Sequence, residues 1–342
     1  MKATNAIICP LIYKGTSFED ISNVLKVASD DLGMSIDFIG YGKFAKNTLQ
    51  PGLLDNERYI HKQVELLGQL TKSKRYEKML FLDFFQPGLD LIKYAFEQQG
   101  TVCKFGSLLH GGTFMRGDLY AWDWLSRYEH AYAGVYDTVY VPSKFLKSKC
   151  MSLKGPKIRV FPWGMDGILP PAKQVKKDID VVFPHRLDAD KGADEFIKIV
   201  QALPHVTFAV TYVQSQAIQK TNKYARRLRE YPNVIFLANK SNAEYLMQLS
   251  RAKLVLSCAL QETFGYAVMK AVAQGCVPIV PNNLSYPEFF TAKYLYKNVA
   301  NAVEKIESFL KNVSSLEKDR QKHVAMVLGF SFKPLLQDFF QI

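Results

Sequence analysis

Short runs of aliphatic and β-branched residues alternate along the whole chain with stretches whose apolar positions recur at helical spacing. Ala6 to Ile12 reads as a buried strand, and Lys14 to Ser17 as the loop that follows it. Ser17 is placed to cap a helix that carries Ile21, Val24, Leu25, Ala28 and Leu32 on one face. Further strands are predicted at 35–41, 79–84, 102–109 and 138–141. The alternation restarts with strands at 179–183, 207–213, 234–237, 254–258 and 277–280, and with helices at 194–202, 242–251 and 264–274. Each strand is parted from the next by helical or loop-like sequence, which predicts parallel strands joined by crossovers.

The pattern breaks once. From Gly164 to Asp178 the chain carries Pro170, Pro171, Lys173, Lys176 and Lys177 and has no apolar period. The prediction is two Rossmann-like α/β domains, 1–165 and 179–329, with a linker over 166–178 and a ligand-binding cleft between them. The aromatic tail, 330–342, is expected to return to the first domain.

Composition narrows the class. The 342 residues are 48% hydrophobic, which is globular, and no apolar run reaches the roughly 18 residues that suggest a membrane-spanning helix. The start of the chain leads straight into strand-like sequence, so no leader is expected. The five cysteines match no metal or redox spacing, which favours free thiols and a cytoplasmic setting. A formal charge of +12 and a pI near 9.3 imply an anionic partner, nucleic acid or an acidic membrane surface, unless they mark only a basic, soluble surface.

Two stretches carry candidate chemistry. In Ser257 to Ala271 a buried strand gives way to Glu262, then to a turn, Thr263-Phe264-Gly265-Tyr266, that opens a helix. Backbone N–H groups at such a helix start can cradle a phosphate, and Glu262 beside it can accept hydrogen bonds from sugar hydroxyls. An ordinary strand-to-helix turn, with Glu262 complementing the helix dipole, is the plainer reading. In Phe183 to Gly192, Arg186 follows a strand and Lys191 lies in the loop beyond it. Two such cations can clamp a leaving diphosphate and replace a metal, though either alone could be a surface charge. Asp188 and Asp190 form an Asp-x-Asp pair, but their place beside the two cations argues against a metal site.

Together these stretches resemble the retaining glycosyltransferases of the GT-B fold, particularly glycosyltransferase family 4. The resemblance implies Arg186 and Lys191 on the donor diphosphate, with Thr263, Phe264, Gly265 and Tyr266 beside it. It also implies a Glu-(seven residues)-Glu pair. Glu262 matches the first glutamate, but Lys270 stands at the second, where the family binds the donor ribose. Either another acid replaces it or Lys270 touches the nucleotide. Gly275 to Glu288, with its Pro-Asn-Asn-Leu-Ser-Tyr-Pro-Glu run, is similar to the tRNA-queuosine mannosyltransferase branch of that family, although that branch's His-Glu-Asn-Gln run is missing. His110, after a strand and before two glycines, is implied to contact the donor sugar; a structural histidine is the alternative. Gly15 is either a loop glycine approaching the diphosphate or a plain turn glycine.

The resemblance implies a metal-independent transferase without a cofactor, taking a UDP- or GDP-sugar and using no protein general base. For the acceptor, the charge and the branch resemblance favour a hydroxyl on a modified base in DNA or tRNA. Lys144, Lys147 and Lys149, and Arg226, Arg227 and Arg229, are the candidate acceptor-binding clusters. An enzyme acting on envelope lipid or polysaccharide at a membrane surface, without integral membrane contact, is the alternative, and a non-enzymatic sugar-nucleotide-binding protein is a third reading.

Overall fold

The computed structural model describes residues 3–9, 17–40, 61–65, 68–69, 74–86, 88–115, 123–170, 175–212, 222–238 and 241–341. It divides into two compact units, one of Met1–Gly167 with Ser331–Ile342, the other of Ile168–Phe330.

The first unit is built on six parallel strands: β1 (Ala3–Ile8), β2 (Ile36–Ile39), β3 (Arg75–Phe81), β4 (Lys104–Leu108), β5 (Thr138–Val141) and β6 (Lys157–Val160). Their order is β2-β1-β3-β4-β5-β6. The central strands bury nearly every side chain, as a sheet covered on both faces must. β3 begins earlier than its apolar stretch suggests, because Tyr76 is buried and donates its hydroxyl to Asp37 at 2.8 Å. β6, with Lys-Ile-Arg-Val alternating exposed and half-buried, has no apolar run and is missed by hydrophobic patterning. It is one of the sheet's two edge strands, where one face stays wet. The helix Lys333–Phe340 belongs to this unit. Asp338 accepts from Tyr140 at 2.6 Å, and the Phe339 ring lies where a Cβ on Gly106 would be, 2.5 Å away.

The second unit has β7 (Ile179–Phe183), β8 (Phe208–Tyr212), β9 (Val234–Ala238), β10 (Ala252–Leu256), β11 (Val277–Pro281) and β12 (Leu295–Tyr296), again all parallel. Their order is β12-β11-β10-β7-β8-β9. From β7 the chain winds outward to β9, then returns to start the other half at β10. The carboxyl ends of β7 and β10 therefore flank the topological switch point, where open α/β sheets bind ligands.

The stretch expected as a plain linker is anchored at both ends. Asp166, in the first unit, accepts the Phe332 N–H at 2.8 Å. Lys177, in the second, donates to the Ala252 and Gly275 carbonyls at 2.8 and 3.0 Å.

Candidate active site

The two chemistry-bearing stretches meet at the switch point. Residues 184–192 leave the end of β7 and 257–265 leave the end of β10. The Asp190 carbonyl joins them, accepting from the Leu260 and Gln261 N–H groups at 2.9 and 3.3 Å. Gly192 makes the approach possible: its φ is +70°, and a Cβ there would sit 1.9 Å from the Cys258 carbonyl oxygen.

Lys191 spans the junction. Its Nζ donates to the Gln261 carbonyl at 2.8 Å and pairs with Glu262 Oε2 at 3.4 Å. Burial works to raise the Glu262 carboxyl, but the Lys191 charge and the Gly265 N–H outweigh it and hold the group below its ordinary range. Glu262 is ionised at neutral pH.

Arg186 is paired with the two aspartates that follow it in the loop. Its guanidinium faces Asp188 Oδ2 at 3.1 Å and Asp190 Oδ2 at 3.5 Å. With 49% of its side chain exposed it can turn from these carboxylates to a ligand, whereas Lys191, 19% exposed, is held in place. The Asp-x-Asp pair thus faces cations, and among the described residues no cluster of three His, Cys, Asp or Glu could hold a metal.

Ser257, which opens the stretch running to Ala271 but has no role predicted there, organises the floor of the junction. Its Oγ accepts from the Tyr286 hydroxyl at 2.9 Å and from the Ala259 N–H at 3.3 Å. The remaining hydroxyl hydrogen then goes to His185 Nε2, 2.9 Å away. Burial lowers the His185 pKa to about 4, so the imidazole is neutral and can accept that bond. Tyr296 donates to the Ser257 carbonyl at 2.9 Å. The Leu-Ser-Tyr-Pro-Glu run had flagged Tyr286 without its role.

The helix predicted from Phe264 starts at Tyr266, because Gly265 takes a left-handed conformation, φ +81°, and ends the turn. A side chain at Gly265 would press on Tyr286, with its Cβ 2.9 Å from the ring. Thr263 lies in the turn itself. The Phe264 ring is core, packed between Phe289 and Phe330 at 5.5 and 5.9 Å, which leaves only its backbone for a ligand.

Lys270 is 3% exposed. Its ammonium donates to Asn242 Oδ1 at 3.2 Å and lies 5.5 Å from the Tyr245 and Tyr266 ring centres. Aromatic faces satisfy a buried cation where a carboxylate would be repelled.

His110 lies in the first unit, just beyond β4. Its ring packs edge-on against Phe18 and beside Trp163, and Nε2 is 2.8 Å from the Leu82 carbonyl, to which it donates. Burial lowers its pKa, opposed by Asp83, whose own pKa burial raises. Asp83 went unnoticed in the sequence. Gly15 lies outside the described residues. Lys144, Lys147 and Lys149 are exposed on the first unit and Arg226, Arg227 and Arg229 on the second. The five cysteines are buried and outside any disulfide, Cys9 and Cys258 being pushed up to about 12 by burial, so neither of those two supplies a thiolate near neutral pH.

Residues 168–327 match the family described as glycosyl transferases group 1. That matched stretch falls within the second unit, Ile168–Phe330. The switch-point junction lies wholly within it. The sucrose-phosphate synthase of Thermosynechococcus elongatus superposes with a TM-score of 0.75 at 16% identity, over 99% of this chain and 98% of that one. Anabaena HepE, solved with UDP and glucose, gives a TM-score of 0.72 at 14% identity, over 99% and 98%. The fold is accordingly GT-B. The tRNA-queuosine alpha-mannosyltransferase of Drosophila melanogaster is 30% identical over 152 residues, 43% of this chain. The matched stretch spans 40% of that relative's length.

Proposed function

We propose that this protein is a retaining glycosyltransferase that moves a sugar from a nucleoside diphosphate sugar, UDP- or GDP-linked, to a hydroxyl on a modified base in DNA or tRNA. The observation that carries the reading is the junction of Arg186 and Lys191 with Glu262 and Gly265 at the switch point of the stretch that matches the group 1 family. The donor diphosphate draws Arg186 from Asp188 and Asp190 and lies against Lys191 and the helix start after Gly265. Glu262 accepts hydrogen bonds from the sugar hydroxyls. The anomeric carbon–oxygen bond to the diphosphate breaks, the acceptor oxygen bonds to the same face, and its proton passes to the departing phosphate oxygen. The two cations stabilise the charge that develops on the leaving group, so no metal is needed.

The donor class is supported by HepE, a structural neighbour solved with UDP and glucose, and the acceptor class by the similarity to a tRNA mannosyltransferase and by the +12 charge. The test is transfer of labelled sugar from a panel of UDP- and GDP-sugars to tRNA and to hydroxymethylated DNA. Lys191→Ala should lower turnover by roughly 10²–10³, the cost of losing one preorganised charge partner. Near-normal turnover in that variant refutes the clamp, and transfer to neither nucleic acid with any donor refutes the acceptor.

A further inference from the structure

The helix Asp123–Ala133 of the first unit carries Trp124, Tyr128 and Tyr132 at successive steps of four residues, which places them on one face. Their rings form a ladder, with centroids 5.7 Å apart between Trp124 and Tyr128 and 6.2 Å between Tyr128 and Tyr132. Trp124 is 56% exposed and Tyr128 53%. On the neighbouring crossover helix, Leu89–Gln98, Leu91 and Tyr94 are exposed as well. Because β3, β4, β5 and β6 are adjacent in that order, right-handed crossovers lay their connecting helices on a single face of the sheet.

A cationic segment abuts the foot of the ladder. From Thr138 to Met165 the chain has six Lys or Arg and no Asp or Glu. Arg159 is engaged by Asp338, but Lys147, Lys149, Lys154 and Lys157 are exposed. Gly155 packs so closely on the end of the ladder helix that a Cβ there would lie 3.2 Å from the Gly134 Cα. That contact brings Lys154, the residue before it, to the end of the helix where Tyr132 stands.

We infer that this face binds unpaired nucleotides of a polynucleotide, with bases stacked on the Trp124–Tyr128–Tyr132 ladder and phosphates on the adjoining lysines. Exposed aromatic faces beside exposed lysines are the two components of a single-strand groove; a duplex keeps its base faces to itself. A membrane-surface helix would carry its cations on its own polar face, whereas this one has a single Arg, Arg127, and no Lys. The assignment rests on the nucleic-acid reading above and gives it a location in the first unit.

The experiment uses the full chain and a fluorescent single-stranded RNA of about 16 nucleotides, the upper site size for one such groove, followed by polarisation. The double variant Trp124→Ala/Tyr128→Ala should bind about ten- to a hundredfold more weakly, with an unchanged salt slope and far-UV circular dichroism. Trp124→Phe/Tyr128→Phe, which keeps the stacking faces, should restore most of the affinity. The triple variant Lys147→Glu/Lys149→Glu/Lys154→Glu should weaken binding and flatten the salt dependence between about 50 and about 200 mM. Equal binding by the alanine variant and the natural chain overturns the ladder. If that occurs while labelled sugar still reaches tRNA or DNA, the acceptor reading stands and this inference alone fails. Binding that needs the ladder, without transfer to any nucleic acid, upholds the surface and removes the acceptor reading. Ladder-dependent flotation with phosphatidylserine vesicles, with no RNA binding, overturns the inference in favour of a lipid surface.

Discussion

Gly192→Ala tests whether the two loops at the switch point are held by close backbone approach. Two costs add in this variant. At φ +70° an L side chain crowds the following carbonyl, which costs about 1–2 kcal/mol. The new Cβ also stands 1.9 Å from the Cys258 carbonyl oxygen, about 1.5 Å short of ordinary contact at 3.4 Å. The atom it meets is backbone, so no side-chain rotation relieves the overlap, and forced repacking of this kind costs about 1–3 kcal/mol. Reduced freedom of the unfolded chain returns about 0.4–1 kcal/mol. The net loss should be about 2–4 kcal/mol. Gly33→Ala isolates the first cost, because Gly33 has φ +63° with nothing within 4 Å of its Cβ, and should lose about 1 kcal/mol. Urea unfolding should be followed by far-UV circular dichroism, since all three tryptophans lie in the first unit. Displacement of the 184–192 loop should also weaken nucleoside diphosphate binding, measured by calorimetry, in Gly192→Ala and not in Gly33→Ala. A Gly192→Ala loss no larger than that of Gly33→Ala would refute the steric argument.

Two further predictions follow from buried groups of the second unit. His185 is neutral in the fold with a pKa of about 4 against an ordinary 6.5, so the unfolded chain binds the extra proton between these values. Its stabilisation is complete above about pH 6.5 and is lost as pH falls toward 4, about 3 kcal/mol in all; His185→Gln should flatten the stability profile across that window, and an unchanged slope would remove the assignment. Lys270→Glu sets a carboxylate against the Asn242 carbonyl oxygen and two aromatic faces in place of a hydrogen-bonded cation. It should destabilise the unit by about 2–4 kcal/mol and weaken donor binding; tighter UDP-sugar binding on calorimetry would instead mean that the lysine marks a degraded ribose site.

The α/β class was legible because it is written in local periods. Apolar runs such as Ile179–Phe183 and Leu254–Leu256 need only their own length and their flanking loops to be read as buried strands. Arg186, Lys191 and Glu262 were legible as candidates because loops after strand ends are where such folds place chemistry, and the glycines beside them mark tight turns. β6 escaped because an edge strand carries no apolar run, and the linker looked free because Asp166 and Lys177 find partners far along the chain. The capture of Arg186 by Asp188 and Asp190 depends on the turn that curls residues 186–190 back on themselves. The Ser257 hub gathers His185 from just beyond β7, Tyr286 from the short helix after β11, and Tyr296 from β12. The four-residue spacing of Trp124, Tyr128 and Tyr132 was present in the sequence, but only packing left the first two rings in solvent. Local period reports what each segment must bury, whereas partners and exposure follow from strand order, which sets which loop ends come within a few ångströms.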